Sequence, residues 1–281
     1  MTESLQKKVD FAIKLLQSIP TDSGAIEVSY SGGKDSDVIL ELAKMAGINY
    51  RPIYKNTTID PPGTIAHCKS KGVEIMKPTI NFFDLVKKKG CPSRFSRFCC
   101  GVLKEYKVCD RAIQGVRRAE SVKRAKRYKE PEICRAYPKG QKARVYLPIL
   151  EWTDDNVAEF ISERGVKCHP LYYDENGEFH VERRLGCIGC PMASNKKRIE
   201  EYVRYPKILK RTIECEQEFI DTHWNAKIAA RYKNAIHRMY ANLFCDSYEE
   251  YLDRIGGGIF PELAIDPKDF LENYFKIDLT I

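Results

Sequence analysis

The residues best suited to chemistry fall into two sets. The first is Ser31-Gly32-Gly33-Lys34-Asp35-Ser36, which joins two glycines to a cation, a carboxylate and two hydroxyls. Glycines let a backbone turn tightly and bring its N–H groups close to an anion. Ser31, Lys34 and Ser36 add side-chain donors, and a helix beginning at the loop adds its positive end. The Walker spacing G-x-x-x-x-G-K-[ST] is absent, so this is a phosphate-binding loop of another kind. The second set is made of thiols. In Cys187-Ile188-Gly189-Cys190-Pro191 a two-residue gap lets both sulfurs face one metal centre, with Gly189 easing the turn. Alone, that pair is ambiguous between zinc, a redox dithiol and an iron–sulfur cluster. Cys99 and Cys100 are adjacent, unlike the spaced cysteines of common zinc knuckles. Together the four thiolates Cys99, Cys100, Cys187 and Cys190 could hold a [4Fe–4S] cluster or a zinc ion. Cys91 lies eight residues before Cys99 and reads first as a loop thiol, second as a substitute for Cys100.

The elements around the loop support this reading. Ala25 to Tyr30 is a short β-branched run that ends at the loop, and Asp37 to Met45 has helical apolar spacing through Val38, Ile39 and Leu42. Asn49 to Tyr54 predicts a second strand, Pro61 to Lys71 a helix opened by Pro-Pro, Val73 to Met76 a third strand, and Phe82 to Lys89 another helix. Further strands are predicted over Ile113 to Arg117 and Arg144 to Leu150, and Thr153 is the expected N-cap of the next helix. Strands alternating with helices predict an α/β fold with a doubly wound parallel sheet. From Asn195 to about Tyr240 the pattern is helical and charged. The expected organisation is a nucleotide-binding domain over residues 1–190, which includes the metal-binding cysteines, and a helical region with a tail over 191–281.

At 281 residues and 43% hydrophobic, the chain can bury a full core. No stretch approaches the roughly 18 apolar residues of a membrane helix. The N-terminus reads as a soluble amphipathic helix without a signal-peptide core, so a cytoplasmic protein without a membrane partner is expected. In that compartment eleven cysteines point to metal binding rather than disulfides. Cys68, Cys109, Cys134, Cys168 and Cys245 read as ordinary single thiols. The net charge of +8 suggests an anionic partner. Seven bases and one acid fall between Arg117 and Lys129, which taken alone is a solvated helix face.

Several segments, in order, resemble the phosphoadenosine phosphosulfate reductase family within the PP-loop ATP pyrophosphatases, whose fold is that of the adenine nucleotide alpha hydrolases. They are Ser31 to Ser36, Asn56-Thr57-Thr58-Ile59-Asp60, and Gly115-x-Arg117-x-x-Glu120-Ser121-x-x-Arg124. Pro148-x-x-x-Trp152-Thr153 follows, then His169-Pro170-Leu171-Tyr172 and Gly186-Cys187-x-x-Cys190-Pro191. The matches span roughly residues 25 to 195. The resemblance implies that Asn56 and Thr57 help recognise an adenine nucleotide. It also implies that Arg117 and Arg124 bind a phosphate, for which the planar arginine fork is suited. The adjacent pair with a distant C-x-x-C is similar to the arrangement in reductases with a [4Fe–4S] cluster. Lys123, Lys126, Arg127 and Lys129 read equally as a solvated face or as an extension toward nucleic acid.

The resemblance has two breaks. The reductases carry a catalytic cysteine in Glu-Cys-Gly-x-His near the C-terminus. Here Glu214-Cys215-Glu216 lacks the glycine and histidine, and no cysteine follows residue 246. Cys215 and Cys245 are nucleophiles only by elimination. Reductases also carry a degraded loop, whereas this one is intact. Lys34 could neutralise β/γ-phosphate charge and Asp35 could hold Mg²⁺, as expected of a working ATP pyrophosphatase. The leading expectation is an enzyme that binds Mg–ATP, adenylates an acceptor with pyrophosphate release, and supports sulfur transfer at the cluster. Relatives with this combination act in nucleic-acid sulfur modification such as DNA phosphorothioation, which makes nucleic acid or a sulfur or thiol donor protein the implied partner. The alternatives are an adenylylsulfate or phosphoadenylylsulfate reductase producing sulfite with a thiol donor, and a non-catalytic iron–sulfur module that binds nucleotide or nucleic acid.

Overall fold

The computed structural model describes every residue except 21, 23, 108, 138, 139, 224–230, 259 and 281. The chain forms two compact units. One comprises Met1–Pro78 and Gly101–Gly186, the other Thr79–Cys100 and Cys187–Ile281.

The first unit is built on a six-stranded sheet. Its strands are β1 (Ile26–Tyr30), β2 (Tyr50–Lys55), β3 (Glu74–Met76), β4 (Arg111–Ile113), β5 (Glu132–Ala136) and β6 (Lys142–Tyr146), in the order β3-β2-β1-β4-β6-β5. β1 pairs in parallel with β2 and β4, β2 with β3, and β4 with β6, as the alternation of strands and helices predicts. The edge strand β5 runs antiparallel to β6, and nothing in the pattern of Glu132–Ala136 announces it. The strand expected over Ile113–Arg117 ends at Ile113, because at Gly115 the chain has left the sheet and packs against the backbone of Asp35.

Helix α1 (Glu3–Gln17) buries Leu5, Val9, Ala12 and Leu16, one stripe at helical spacing, and Thr2 caps it by accepting a bond from Leu5 N at 3.3 Å. Its partner α2 (Lys34–Ala46) follows the loop and buries Val38, Ile39 and Leu42 in the same cluster as Ile26 and Val28 of β1. Helix α3 (Thr64–Ser70) joins β2 to β3, shorter than the predicted span because Gly63 at φ 90° delays its start. Two short helices stand on either side of β4 along the chain: α5 (Phe98–Leu103), whose first three residues belong to the other unit, and α6 (Val122–Arg127). Helix α7 (Asp154–Arg164) begins at the predicted cap, Thr153, whose hydroxyl accepts from Asn156 N at 3.3 Å.

The second unit is helical among its described residues. It contains α4 (Phe82–Lys89), α8 (Asn195–Arg204), α9 (Pro206–Thr222) and helices over Ala235–Phe244, Tyr248–Gly256 and Pro267–Phe275. The helical span expected from Asn195 to Tyr240 is broken at Pro206, and its residues 224–230 lie outside the described residues. Helix α4 packs on α9, and Gly90 ends it at φ 73°, where an added Cβ would sit 3.0 Å from the ring of Phe219. Phe244 meets Phe270 edge-on at 4.9 Å and Tyr274 at 5.2 Å, so aromatic rings join the last helices. No helix among the described residues is long and apolar enough to cross a membrane.

Candidate functional site

Within the first unit β1 lies between β2 and β4, so the strand order reverses at its carboxyl end. Ligands of open α/β sheets bind in the crevice at such a point. The loop Ser31–Ser36 occupies it. Gly32 takes φ 79°, and an added Cβ would lie 3.0 Å from Thr64 and 3.1 Å from Leu185. Gly33 is the N-cap of α2 and gives it no side-chain bond; the Lys34 N–H instead meets the Tyr172 hydroxyl, and Ser36 N bonds the Gly33 carbonyl at 2.9 Å. Ser36 Oγ donates to Gly33 O at 2.6 Å and lies 3.3 Å from Ser31 Oγ, tying the two ends of the loop together.

Lys34 is 2% exposed, with Nζ 3.6 Å from Asp35 Oδ2 and 5.5 Å from the centre of the Tyr172 ring. Burial pulls its ammonium below the usual lysine range; Asp35 opposes this, while Arg117 and Arg184 add to it. Tyr172 accepts from Leu185 N at 3.2 Å, and burial pushes its phenol up to about 12. Ser31, Lys34, Asp35, Ser36, Arg124 and Arg184 bound a polar cavity of about 220 Å³. That is room for a short phosphate chain, and smaller than the roughly 300 Å³ at which pockets for whole small-molecule ligands begin.

The two arginines singled out in the sequence have different places. Arg124 stands on the cavity wall, paired with Glu120. Burial, and then Arg184, hold its guanidinium below the ordinary range. Arg117 stands behind the loop, 1% exposed and fully engaged. Its Nε donates to Asp35 Oδ1 at 2.7 Å, Nη2 to Asp154 Oδ1 at 2.7 Å and Nη1 to the Trp152 carbonyl at 3.3 Å. Arg117 therefore fixes the Asp35 carboxylate and does not line the cavity. Arg184, which sequence reasoning passed over, donates to Glu120 Oε1 at 3.0 Å and takes the wall position instead. Its only local signal is the Arg183-Arg184 pair between the His169-Pro-Leu-Tyr172 and Gly186-Cys187 motifs.

Asn56 and Thr57 stand at the carboxyl end of β2 and do not line this cavity. Thr57 is buried, its hydroxyl donating at 2.6 Å to Asp60 Oδ2, which also accepts from Tyr54 at 2.5 Å. Asn56 Oδ1 accepts from Thr58 N at 2.8 Å and stabilises the positive φ of Thr58. A buried carboxylate, Asp37, braces the base of α2. It accepts from Tyr30 and faces His67 Nε2 at 3.0 and 3.1 Å, with Lys71 at 3.9 Å. Burial, followed by Asp37, raises the Tyr30 phenol well above its ordinary range. His169 is buried with Nδ1 accepting from Leu171 N at 3.1 Å. Burial, and then His67, lowers its imidazole.

The four cysteines all belong to the second unit, and all are half-buried. A hydrogen bond to Cys100 is the largest effect raising the Cys99 thiol, followed by burial and then by Cys100, Cys187 and Cys190. The four thiols are a soft donor set of the chemistry that binds a cluster or zinc, although among the described residues they do not form a group of three donors within 4.8 Å of one another. The C-x-x-C turn is held from two sides. Gly189 N donates to Glu201 Oε2 at 2.8 Å, and Arg94 donates to the carbonyls of Pro191 and Ala193 at 3.1 Å each. Gly189 has φ 66°, and an added Cβ would lie 2.0 Å from the Tyr202 hydroxyl oxygen. Cys91 takes another role: its N–H donates to Glu216, its carbonyl accepts from Arg238 at 3.2 Å, and Glu216 pairs with Arg238. Cys215 is fully buried in α9 and Cys245 is 8% exposed, and burial raises both thiols. In the first unit a hairpin brings Asp174, Glu178 and His180 within 4.8 Å of one another, with His180 between Asp174 and Glu182.

Residues 25–193 match the family model of the phosphoadenosine phosphosulfate reductase domain. An uncharacterized 37.8 kDa protein of Escherichia phage 186 is 34% identical over 163 residues, 53% of this chain and 46% of that protein. Sulfate adenylyltransferase subunit 2 of Shewanella oneidensis is 25% identical over 246 residues, 75% of this chain and 80% of the subunit. Among solved structures, the phosphoadenylyl-sulfate reductase of Candida auris in complex with phosphate aligns with a TM-score of 0.42 and 15% identity, over 66% of this chain and 96% of that one. The chain spans about half the length of the uncharacterized relatives it matches.

Proposed function

Because the chain belongs to the phosphoadenosine phosphosulfate reductase domain family, whose named relatives here are enzymes, we propose that it is a PP-loop enzyme that binds Mg–ATP and adenylates an acceptor. A nucleophilic oxygen of the acceptor attacks the α-phosphorus, the bond to the β-phosphate oxygen breaks, and pyrophosphate leaves. A sulfur nucleophile from a thiol or sulfide donor then displaces AMP. The observation behind this reading is the intact loop itself, with a buried Lys34 on a cavity that also presents Arg124 and Arg184. The loop N–H groups and Lys34 bind the phosphates, and the two arginines take up the charge that accumulates on the departing pyrophosphate. Arg117 positions Asp35. The Asp35 carboxylate and the Ser31 and Ser36 hydroxyls form an oxygen donor set that fits Mg²⁺. The relative named as a sulfate adenylyltransferase subunit lends the adenylation its support.

Cys99, Cys100, Cys187 and Cys190 would hold a [4Fe–4S] cluster, which when bound supplies a soft, redox-active metal centre. The net charge of +8 makes nucleic acid the favoured acceptor class. The reductase alternative needs an accessible thiolate outside the cluster, and the buried, raised thiols of Cys215 and Cys245 do not supply one.

The test is calorimetric binding of Mg–ATP, adenylylsulfate and phosphoadenylylsulfate to anaerobically purified protein, with iron, sulfide and zinc quantified on the same sample. The expected preference for Mg–ATP is at least tenfold, about 1.4 kcal/mol. In Lys34→Ala, pyrophosphate release with a tRNA or DNA acceptor should fall by about 100-fold. A tenfold preference for either sulfonucleotide, with sulfite as product, would overturn the adenylation reading.

A further inference from the structure

The second unit encloses a cavity of about 520 Å³, larger than the one at the phosphate loop and formed by other residues. Two helix N-termini open onto it. Ser194 and Asn195 start α8, and Ser247 and Tyr248 start the helix over Tyr248–Gly256; all four residues lie on the wall. Both ends carry the positive pole of their helices. Arg198 also lies on the wall and is 9% exposed. Its Nη1 donates to the Asn242 carbonyl at 2.9 Å, but its Nε has no hydrogen-bond partner. A buried guanidinium nitrogen without an acceptor is costly, and an anion close by relieves that cost. The acid among the lining residues, Asp246, is exposed, with its own N–H held by Glu250. An aromatic and apolar part of the wall is formed by Phe82, Tyr202, Met239, Tyr248 and, at the rim, Phe95, whose ring is fully exposed; Ser93, Arg94, Thr212 and Asn242 add polar groups. A fully exposed phenylalanine beside a cavity offers an unused stacking face.

We propose that this cavity is a second ligand site, for an aromatic anion of nucleotide size, a nucleoside 5′-monophosphate or one such unit of a longer strand. The phosphate lies against Arg198 and the two helix ends, and the base lies against Phe95 and Tyr248. The volume is within the range of small-ligand pockets. Gly189 and Pro191, on either side of Cys190, form part of the same wall, so a bound nucleotide stands beside the cysteine turn. This reading uses no role of the phosphate loop, and its failure leaves the proposed adenylation intact.

The probes are uridine 5′-monophosphate and inorganic phosphate, titrated calorimetrically into the full-length protein and into Lys34→Ala, Arg198→Gln and Phe95→Ala. Saturable uridine monophosphate binding is expected. Lys34→Ala should change it by less than twofold, Arg198→Gln should weaken it about tenfold, and Phe95→Ala severalfold. Phe95 is exposed, so its replacement keeps the test valid if Arg198→Gln fails to fold. Absence of saturation would overturn the proposal. So would binding abolished by Lys34→Ala and unchanged in Phe95→Ala, which locates the nucleotide at the phosphate loop. Phosphate binding as tight as that of the nucleotide would also overturn it, because the base would then contribute nothing.

Discussion

In the first unit the glycine loop hangs from a central strand, and a buried arginine holds its carboxylate from behind, with 2.7 Å bonds to Asp35 and Asp154. In the second unit the cysteine turn hangs from no strand. Carboxylate and guanidinium clasps onto its own backbone hold it, Glu201 to Gly189 N and Arg94 to two carbonyls. The difference is one of what is specified. A sheet fixes where a side chain begins, so the first unit needs ion pairs only to aim it. A turn between helices has no such frame, so the second unit must bond the backbone itself and leave the side chains to converge on whatever they bind.

The comparison breaks most sharply at Arg117. Replacing it with Met leaves Asp35 and the first turn of α2 without their buried partner and should cost roughly 3–5 kcal/mol of stability. Urea unfolding followed by circular dichroism would measure it. A loss below about 1 kcal/mol would mean that the strand alone positions the loop. Next come two glycines, one in each unit. Gly189→Ala must accept a positive φ, about 1–2 kcal/mol, and overpack Tyr202, about 1–3 kcal/mol more. Iron or zinc content should fall with stability. Gly115→Ala has only the overpacking cost, about 1–3 kcal/mol, but its Cβ would meet the Asp35 carbonyl oxygen at 2.8 Å. It should therefore weaken Mg–ATP binding while leaving metal content unchanged. If both variants lost both properties, the two sites would not be separate constructions.

The smallest effect concerns His169. Its folded imidazole is lowered by burial and His67, with Asp37 opposing, while in the unfolded chain it titrates near 6.5. Below that pH the unfolded chain takes up a proton that the folded one refuses, so stability falls as pH drops through 6.5 toward the folded value. Above neutrality the effect vanishes. The melting temperature should drop between pH 7.5 and 5.5, and His169→Gln should drop less. An equal drop in the variant would assign the effect to other groups.

The sequence displays the β1–loop–α2 unit plainly, because hydrophobic periodicity switches from two to 3.6 across the glycines. The cap at Thr153 is equally visible, since capping is a contact between residues three apart. The edge strand β5 is not visible. Glu132–Ala136 is half exposed and mixed in character, and only its pairing with β6 makes it a strand. Arg184 is hidden for a related reason. Its place depends on sharing Glu120 with Arg124, a contact across 64 residues that no local pattern encodes. Arg117 lies in a recognisable motif, yet its burial against Asp35 and Asp154 is a tertiary fact. A motif names a residue without saying which of its neighbours it faces. The assignment of Thr79–Cys100 to the C-terminal helices is likewise unmarked by any Gly- or Pro-rich linker at residue 78.

That assignment has a consequence for how the protein comes off the ribosome. Cys99 and Cys100 are translated with α4, but the rest of their unit begins at Cys187, 87 positions after Cys100. At 5–20 residues per second this is a delay of roughly 4–17 s. Throughout it, the apolar face of Phe82, Leu85 and Val86 has no α9 to cover it, and two thiols stand without their counterparts. Convergence of the four cysteines is therefore an event of the finished chain. A nascent chain stalled before residue 187 displays both an uncovered apolar helix face and two of the four thiols without the other two.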